Sequence, residues 1–390
     1  MKLIEDIQEA LRRNNLGGWL FFDHHRRDPL AYEILRIPSG IDASRRWYYC
    51  VPANGEPRKL VHRIESRALE SLPGEKLSYS SWADQQQKLQ NLVAGMARVA
   101  MQYSPRCAIP YVSLVDAGTI ELVRGTGVEV VSSADLVQEF QARWTEEQLR
   151  QHVEAGKSVD RIRREAFQFI GEKLRSHSVI TEYEVQQFIR SGFSGAGLIT
   201  DHGPIVAASA NTADPHYEPS LEKCAVIKEG DLVLIDLWAK LNEPTSVYYD
   251  VTWTGFCGEA VPDAIQNVFE IVRDARKQAA DFVVKQVGAK QMIAGYQVDD
   301  QARGSIEARG FGQYFFHRTG HSIGMEVHGT GANMDNLESH DERRIISRTC
   351  FSVEPGIYLR DFGIRSEVNV YVGEDYATVT GEEQEQLVRI

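Results

Sequence analysis

Two aspartates occupy strand-like segments in which a buried carboxylate needs a partner. Asp236 ends the apolar run 232–235 in AVIKEGDLVLIDLWAK, and Asp250 lies fourteen residues later in VYYDVTWTGF. Burying a carboxylate is costly without a cation or several hydrogen-bond donors. Because side chains alternate along a strand, Asp250 shares a face with Thr252. We expect the turn at 242–244 to bring Asp236 and Asp250 onto one face of a hairpin.

Two glutamates near the C-terminus follow the same pattern. Glu354 lies on a predicted strand in FSVEPGIY, which the Pro-Gly pair ends. The next predicted strand, GIRSEVNVYV, carries Arg365, Glu367 and Asn369 on one face. Each segment therefore places a carboxylate within an otherwise apolar sheet.

A histidine-rich segment separates the two carboxylate pairs. FFHRTGHSIGMEVHG holds His317, His321 and His328 among glycines that allow close backbone approach. A site built from four carboxylates and histidine suits divalent Mn, Co or Zn better than a site built from thiolates does. One divalent ion would leave the four charges uncompensated, whereas two ions about 3.5–4 Å apart would neutralise them and turn a bridging water into a nucleophile.

The order Asp236, Asp250, His321, Glu354 and Glu367 resembles the "pita-bread" metallopeptidases: prolidase, aminopeptidase P and methionine aminopeptidase. The contexts that carry the resemblance are LVLIDLW, YYDVTWT, HRTGHSIGMEVHG, SVEPGIY and GIRSEVNV, and the match covers roughly 205–372. The segment NTADPHY, which ends in His216 and Tyr217, is similar to the Xaa-Pro branch of the family. The segment before about residue 140 resembles the N-terminal domain of that branch, which methionine aminopeptidases usually lack.

The resemblance implies a role for each matching residue. Asp236 would hold one metal ion, Asp250 and Glu367 would bridge two ions, and His321 and Glu354 would hold the second. Glu354 would also carry the proton from the attacking water to the leaving nitrogen. The remaining implied residues lie around the substrate: His216 and His328 as donors to the oxyanion, His317 on the far side, and Arg365 and Tyr217 as supporting contacts.

Two positions depart from the family pattern. Trp253 stands where a basic residue usually follows the second aspartate, and Ala332 stands where prolidases often carry an arginine that clamps the dipeptide carboxylate. Strict specificity for dipeptides is therefore not expected unless another cation supplies the clamp. The candidates are Arg360, Arg343, Arg344 and the cluster 24–27, which a second subunit would bring to the pocket; a solvated charged turn is the alternative for that cluster.

The activity that the resemblance implies is hydrolysis of the Xaa-Pro bond. Dipeptides, as in prolidase, are the favoured substrates, and longer peptides, as in aminopeptidase P, are the alternative. The bond before proline has no N–H and can be cis or trans, so it calls for a dedicated site. A creatinase-like amidinohydrolase is an alternative that would lack the metal ligands. A non-catalytic binding protein is a further alternative, although such proteins typically lose ligands and this sequence keeps all five.

The elements that must position these residues divide near residue 143. Helix-like and strand-like pieces alternate before it, and Thr145 with Gln148 then predicts a capping box at the start of a long helix. Helices are expected at 145–176, 182–190, 261–287 and 295–309. Helices and strands are not interleaved one for one after the boundary, which favours an α+β fold. We expect a small creatinase-like α/β domain at 1–143 and a catalytic pita-bread domain at 144–390, with a curved, mostly antiparallel sheet flanked by helices.

The composition and charge of the chain argue against several classes of function. The 390 residues include 43 Lys and Arg against 55 Asp and Glu, a net charge of -12 that argues against general binding to nucleic acid or anionic membranes. No run approaches the length of a membrane span, and no signal peptide is recognisable. The five cysteines are scattered, which fits reduced thiols in the cytoplasm. Small proline-containing peptides are the expected partners, and a homodimer is the family habit.

Overall fold

Residues 2–38, 40 and 44–390 are described by a computed structural model, which separates into two units at 1–141 and 142–390. The first unit contains five helices and six strands among its described residues. In chain order these are α1 (Lys2–Arg13), β1 (Gly18–Asp23), α2 (Pro29–Ile34), β2 (Trp47–Pro52), β3 (Arg58–His62), β4 (Glu75–Tyr79), α3 (Trp82–Leu92), β5 (Arg98–Met101), α4 (Ala117–Arg124), β6 (Glu129–Ser132) and α5 (Ala134–Gln141).

The first unit is built on one mixed sheet in the order β4-β3-β2-β1-β5-β6. Strand β2 runs antiparallel to β1 and β3, and the other neighbouring pairs are parallel. Trp19 and Phe21 of β1 enter one apolar cluster, whereas Leu20 and Phe22 enter another. Both faces of the sheet are therefore covered, so the strand is apolar at successive positions instead of alternating with polar residues.

The second unit contains four helices and eleven strands among its described residues. They are α6 (Glu146–Arg175), α7 (Glu182–Gly195), β7 (Leu198–Ile199), β8 (Ile205–Ala208), β9 (Leu232–Leu241), β10 (Tyr249–Phe256), α8 (Asp263–Gly288), α9 (Gly295–Ala308), β11 (Ser322–Ile323), β12 (Thr349–Val353), β13 (Gly356–Tyr358), β14 (Gly363–Arg365), β15 (Val368–Val372), β16 (Ala377–Thr380) and β17 (Val388–Arg389).

Two antiparallel layers form the body of the second unit. One sheet has the order β17-β10-β9-β7 with β8 also paired to β9, and the other has the order β11-β12-β15-β16. Helices α6 and α7 share a core with the first sheet, and α8 and α9 share a core with the second. Among these strand pairs only β10 and β17 are parallel. The expected α+β class with a mostly antiparallel sheet is confirmed.

The start of α6 is fixed by the chemistry of its first turn. The Thr145 hydroxyl accepts from the backbone N–H of Gln148, and the Gln148 side chain accepts from the backbone N–H of Thr145. The preceding Trp144 packs in one apolar cluster with Leu149, which completes a hydrophobic staple. The predicted capping box is therefore present.

The two predicted C-terminal strands are wrong in detail. Strand β12 ends at Val353, so Glu354 lies one residue beyond it, and the strand expected across GIRSEVNVYV is two strands separated at Ser366 and Glu367. The reason is tertiary: the Glu367 N–H donates to the carbonyl of Thr252 on β10. This hydrogen bond interrupts the strand at Glu367 and directs the Glu367 side chain toward the hairpin β9–β10.

No helix among the described residues is both long enough and apolar enough to span a bilayer.

Candidate metal centre

The hairpin β9–β10 brings two aspartates together on one face. Antiparallel pairing sets Asp236 opposite Thr252 and Asp250 opposite Trp238, so the two aspartates are diagonal neighbours on the same side. Both are buried, with 8% and 5% of their surface exposed. Four buried aliphatic residues, 232–235, precede Asp236 on β9; their burial fixes the register of the strand and therefore the face on which the carboxylate emerges.

Two glutamates approach the hairpin from the second sheet. The backbone N–H of Glu354 donates to the carbonyl of Thr319, and its carboxylate accepts from the Ser352 hydroxyl at 3.1 Å. The Glu367 carboxylate accepts from the Thr252 hydroxyl at 2.9 Å. Because Thr252 also accepts the Glu367 N–H, this threonine ties Glu367 to the hairpin through both backbone and side chain.

His321 directs a ring nitrogen at two of these carboxylates. Its Nδ1 lies 3.1 Å from the carbonyl of Ser322, which can only accept, so Nδ1 carries the proton and Nε2 carries the lone pair. Nε2 lies 3.6 Å from Asp250 Oδ2 and 3.4 Å from Glu354 Oε1. Burial holds the pKa of His321 well below its usual value, so the ring is neutral. A lone pair that faces carboxylate oxygens is favourable only with a cation between them.

The backbone beside His321 has no room for a side chain. Gly320 lies so close to strand β12 that an added Cβ would stand 1.9 Å from the carbonyl oxygen of Ser352. Gly320 also exchanges backbone hydrogen bonds with Met334. The glycine therefore allows the histidine segment to approach the sheet that carries Glu354.

The donor atoms are arranged as a metal site would require. Ligand atoms of Asp250, His321 and Glu367 all lie within 4.8 Å of one another. Within the described residues, Asp236 Oδ1, Asp250 Oδ1 and Glu367 Oε1 are buried without a hydrogen-bond partner. Burial, reinforced by the neighbouring carboxylates, raises the pKa of Asp250 and Glu367 well above the usual range. Four carboxylates and one imidazole with no thiolate fit hard or borderline divalent cations, which would satisfy these oxygens.

Arg365 is the cation that the protein itself supplies to this cluster. Its guanidinium donates to the Asp236 carboxylate, to the Thr252 hydroxyl at 3.0 Å and to the Tyr358 hydroxyl at 3.2 Å. It also lies 3.9 Å from Glu354. One positive charge among four carboxylates leaves the cluster negative, so Arg365 orients Asp236 without replacing a divalent ion.

His317 is held by the protein through both ring nitrogens. Its Nδ1 donates to the carbonyl of Arg318 at 2.7 Å, so Nε2 accepts from the Tyr358 hydroxyl at 2.9 Å. Burial lowers the pKa of His317 to about 3, and the positive charge of Arg365 adds to the shift. His317 is therefore connected to Arg365 through Tyr358, Arg365 bonds the metal centre at Asp236, and His317 has no N–H left for a substrate.

The other two histidines have more open surroundings. The His328 ring packs edge-on against His321, with 4.3 Å between the ring centroids. Burial lowers the pKa of His328 to about 4, and Arg318 contributes. His216 is exposed, and its charge adds to the lowered pKa of both His317 and His328. His216 thus lies close enough to His317 and His328 for its charge to act on both.

The Tyr217 side chain makes its contacts outside the metal centre. Its hydroxyl donates to Glu182 at 2.6 Å, and its ring is buried with Ile205, Ala207 and Leu234. Glu182 also accepts the Ala225 N–H, so this tyrosine fastens the segment after His216 to α7. The structure does not bring the Tyr217 hydroxyl to the cluster of metal-binding side chains.

Two residues that the sequence did not single out adjoin the centre. Tyr358 joins His317 to Arg365, and it lies within the quoted segment SVEPGIY, four residues after Glu354. Arg318 acts on three members of the centre: it adds to the burial that lowers the pKa of His321 and His328, and it opposes the burial that raises the pKa of Glu354. A charged residue between two candidate histidines was the available signal for Arg318.

The cations considered as a substitute clamp differ in their surroundings. Arg343 is buried and bonds the Asp341 carboxylate and the carbonyl of Thr330, so its guanidinium is committed. Arg360 is exposed, as is Arg344. The cluster 24–27 lies in the first unit.

Trp253, which stands where the family usually has a basic residue, packs against an arginine from another element. The guanidinium carbon of Arg163, on α6, lies 3.3 Å from the centroid of the Trp253 ring. Arg163 is fully buried and also donates to Glu382 at 2.6 Å. A positive charge over an indole face is stabilising. The chain therefore keeps a cation next to this strand, although it comes from a helix.

Comparisons with known proteins agree with this arrangement. The model of "Metallopeptidase family M24" matches residues 150–374, more than half of the chain. A Xaa-Pro dipeptidase of Lactobacillus delbrueckii subsp. lactis is 30% identical over 235 residues, which are 60% of this chain and 58% of that protein. A relative named "Probable dipeptidase PepE", from Mycobacterium tuberculosis strain H37Rv, is 27% identical over 333 residues, 84% of this chain and 81% of that protein.

Solved structures show the same fold. The crystal structure of dipeptidase PepE from Mycobacterium ulcerans superposes with a TM-score of 0.69 at 22% identity, and the match covers 100% of this chain and 97% of that one. This similarity confirms the predicted pita-bread fold. With the family match over 150–374, which includes all five predicted metal ligands, the chain belongs to metallopeptidase family M24.

Proposed function

We propose that this protein is a metal-dependent exopeptidase that hydrolyses the Xaa-Pro bond of dipeptides. The observation that carries the proposal is the convergence of Asp236, Asp250, His321, Glu354 and Glu367 from two sheets, with three of their carboxylate oxygens buried and unpartnered within the described residues. Family membership and the name of the Lactobacillus relative support the same reaction.

Two divalent ions are the proposed cofactors, with Mn the first choice and Co or Zn as alternatives. Asp236 would hold one ion, His321 and Glu354 the other, and Asp250 and Glu367 both. When bound, such ions act as Lewis acids that make water a nucleophile at neutral pH and polarise a carbonyl. The four carboxylates carry more negative charge than Arg365 neutralises, and this excess supports two ions.

Glu354 is the proposed proton carrier. In the metal-free cluster, burial raises the pKa of Glu354 to about 7, against the opposing charge of Arg365. A bound divalent ion would favour the ionised carboxylate, which is the form that accepts a proton. It would take a proton from the attacking water as the oxygen adds to the carbonyl carbon. It would then give that proton to the proline nitrogen as the C–N bond breaks, which releases free proline and the carboxylate of the preceding residue.

His328 and His216 are the proposed donors to the oxyanion. The lowered pKa of His328 keeps its ring neutral, so an N–H can donate without a competing proton transfer. His317 and Arg365 are proposed as positioning residues, because their polar atoms are already bonded to Tyr358, Thr252 and Asp236. A contact between Tyr217 and substrate stays a prediction from the sequence, and its bond to Glu182 favours a structural role.

The test compares a Leu-Pro dipeptide with a tripeptide that begins Leu-Pro, using metal-stripped protein refilled with Mn. We expect the dipeptide to be cut in preference. The variant Asp250→Asn should lose both turnover and bound metal, whereas Asp281→Asn, which removes an exposed carboxylate from α8, should retain both. Cleavage of neither peptide by the loaded protein would contradict the proposal.

Aminopeptidase P activity is the second candidate, and one observation favours it. Ala332 stands where a prolidase arginine would clamp the dipeptide carboxylate, and Arg343 is committed to Asp341. A site without such a clamp would accept longer peptides. If the tripeptide is cut as well as the dipeptide, this activity replaces the first proposal.

We also propose residues 1–143 as a creatinase-like N-terminal domain and 144–390 as the catalytic domain of a cytoplasmic homodimer. The separation of the chain into two units supports the domain assignment. All five cysteines are free, which supports a reducing compartment. Size-exclusion chromatography with light scattering tests the dimer.

A further inference from the structure

The first unit contains a cavity of about 640 Å³ whose wall is rich in basic side chains. We name it the N-terminal cavity and define it by Arg27, Arg45, Arg46, His24, His25 and His62. Nothing in the proposed peptidase reaction uses these residues. A concentration of cations is unusual in a chain whose net charge is -12, because general attraction of anions is not expected of an acidic protein.

The cavity lies where α/β sheets commonly bind ligands. Its wall includes residues at or directly after the carboxyl ends of three strands: Phe22 on β1, His62 on β3 and Tyr79 on β4. These three strands run in the same direction, because β2 is antiparallel to both β1 and β3, and β3 is parallel to β4. In open α/β sheets, ligands bind outside the carboxyl ends of the strands.

Hydrogen bonds to a buried aspartate fix the loop that carries His24, His25 and Arg27. Asp23 is 1% exposed and accepts from the backbone N–H groups of Arg26, Arg27 and Asp28 and from the hydroxyl of Tyr32. Both carboxylates of this loop, Asp23 and Asp28, are buried, whereas the side chains of residues 24, 25 and 27 line the cavity. The cationic wall is therefore set by the fold of the loop.

The positive charges converge within the cavity, and Glu65 compensates part of them, because hydrogen bonds from Ser44 and Arg45 and the charge of Arg45 lower the pKa of Glu65 against its burial. Arg27 Nη2 lies 3.0 Å from His24 Nδ1, and the His24 and His25 rings are 4.3 Å apart. Burial lowers the pKa of His24, and the charges of His25, Arg27 and Arg46 add to the shift. In the described part of the chain, the guanidinium groups of Arg27, Arg45 and Arg46 form no ion pair with a carboxylate.

The single carboxylate among the lining residues is already satisfied. Asp116 accepts from the backbone N–H and the hydroxyl of Thr119, both at 2.9 Å, as the N-cap of α4. Behind the wall, Glu65 accepts from the backbone N–H groups of Ser44 and Arg45. The N-terminus of α3 also borders the cavity at Ser81 and adds its backbone dipoles to the positive potential.

We propose that the N-terminal cavity binds a small organic anion that carries a phosphate group. Three guanidinium groups with flanking histidines suit a phosphate, which has about two negative charges and several acceptor oxygens, better than a single carboxylate. The volume exceeds what one inorganic ion fills. Trp82, 71% exposed on the cavity wall, offers a flat apolar surface for the organic part.

Calorimetric titration of the full-length, metal-loaded protein with inorganic phosphate tests the charged part of the site. We expect saturable binding of one phosphate in the N-terminal cavity, weakened about tenfold or more in Arg45→Gln/Arg46→Gln. The variant Arg67→Gln removes an exposed arginine of the same unit outside the cavity and should bind like wild type. A second variant, His24→Gln, should also weaken binding, and melting curves that match wild type show that the variants fold.

Two further titrations separate the alternatives. Binding that the double variant leaves unchanged would place phosphate at the metal centre and overturn the proposal, as would the absence of saturable binding at millimolar phosphate. Tighter binding of succinate than of phosphate through the same arginines would overturn the phosphate assignment. Phenyl phosphate should bind more tightly than phosphate, and Trp82→Ala should remove that gain; an unchanged gain would exclude the contact with the organic part. Each of these results is independent of peptidase activity.

Discussion

The guanidinium of Arg365 donates to the carboxylate of Asp236 within a cluster that holds two more buried carboxylates, Asp250 and Glu367, and the partly buried Glu354. The pair is almost fully buried, with side-chain exposures of 4% and 11%. Breaking a buried pair by removing one partner leaves an uncompensated charge. The arginine therefore stabilises the folded chain most when no divalent ions share the neutralisation of the cluster.

The first prediction follows from this dependence. Replacing Arg365→Gln should destabilise metal-stripped protein by about 3–5 kcal/mol and metal-loaded protein by clearly less. Denaturant unfolding of both forms measures the two losses. The control Arg348→Gln removes a half-exposed arginine that bonds Glu374 and should change both forms little. Equal losses of stability for Arg365→Gln in the two forms would show that the ions and the arginine do not share the neutralisation of the carboxylates.

The second prediction concerns the close approach of Gly320 to strand β12. A methyl group at this position would stand 1.9 Å from the Ser352 carbonyl oxygen, so in Gly320→Ala the two backbones must separate. We expect a loss of stability, together with weaker metal binding because His321 moves with its neighbour. Unfolding curves and metal titration measure the two effects.

Gly304→Ala is the matched control for this substitution. Gly304 lies within α9, and an added Cβ there meets nothing within 4 Å. Alanine should stabilise the helix by about 0.5–1 kcal/mol and leave metal affinity unchanged. If Gly320→Ala binds metal as tightly as wild type, the approach of the two segments is not what positions His321.

The acid stability of the second unit should depend on His152. This histidine is fully buried, with Nδ1 2.7 Å from the carbonyl of Tyr248 and Nε2 2.7 Å from the Thr380 hydroxyl. Burial lowers its pKa from 6.5 to about 4. Between these values the unfolded chain binds a proton that the folded chain does not, so stability falls as the pH drops from 6.5 toward 4, by roughly 3 kcal/mol.

The variant His152→Gln should lose this part of the pH dependence. Its free energy of unfolding should be lower than that of wild type at pH 7, and the gap should narrow as the pH falls to 4.5. His202→Gln removes an exposed histidine and should keep a constant offset from wild type. A constant offset for His152→Gln as well would mean that His152 titrates alike in the folded and unfolded states.

The sequence predicts local features of the centre better than its tertiary ones. The alternation of side chains was enough to expect Asp236 and Asp250 on one face, because a strand has a fixed period. The break before Glu367 depends on a hydrogen bond to Thr252, more than a hundred residues away, and no local pattern encodes it. Likewise, Tyr217 and Tyr358 both follow a candidate site residue in the sequence, and only the packing shows that Tyr358 bonds His317 while Tyr217 bonds Glu182.

The last prediction assigns the substrate carboxylate to a cation. Arg318 lies between His317 and His321, and its charge acts on His321, His328 and Glu354, so it is placed to attract the carboxylate of a dipeptide bound at the centre. If the proposed dipeptidase activity holds, Arg318→Gln should raise KM for Leu-Pro about tenfold or more, the effect of losing one charged hydrogen bond. A Leu-Pro amide, which has no carboxylate, should be affected far less.

Arg360→Gln is the comparison that makes this assignment specific. Arg360 is exposed and was one of the cations that the sequence offered for the clamp, whereas Arg343 is committed to Asp341. Under our assignment, Arg360→Gln cleaves both substrates like wild type. If instead Arg360→Gln discriminates between the acid and the amide and Arg318→Gln does not, the clamp belongs to Arg360. If Arg318→Gln slows both substrates equally, the positive charge of Arg318 acts on Glu354 and not on the peptide.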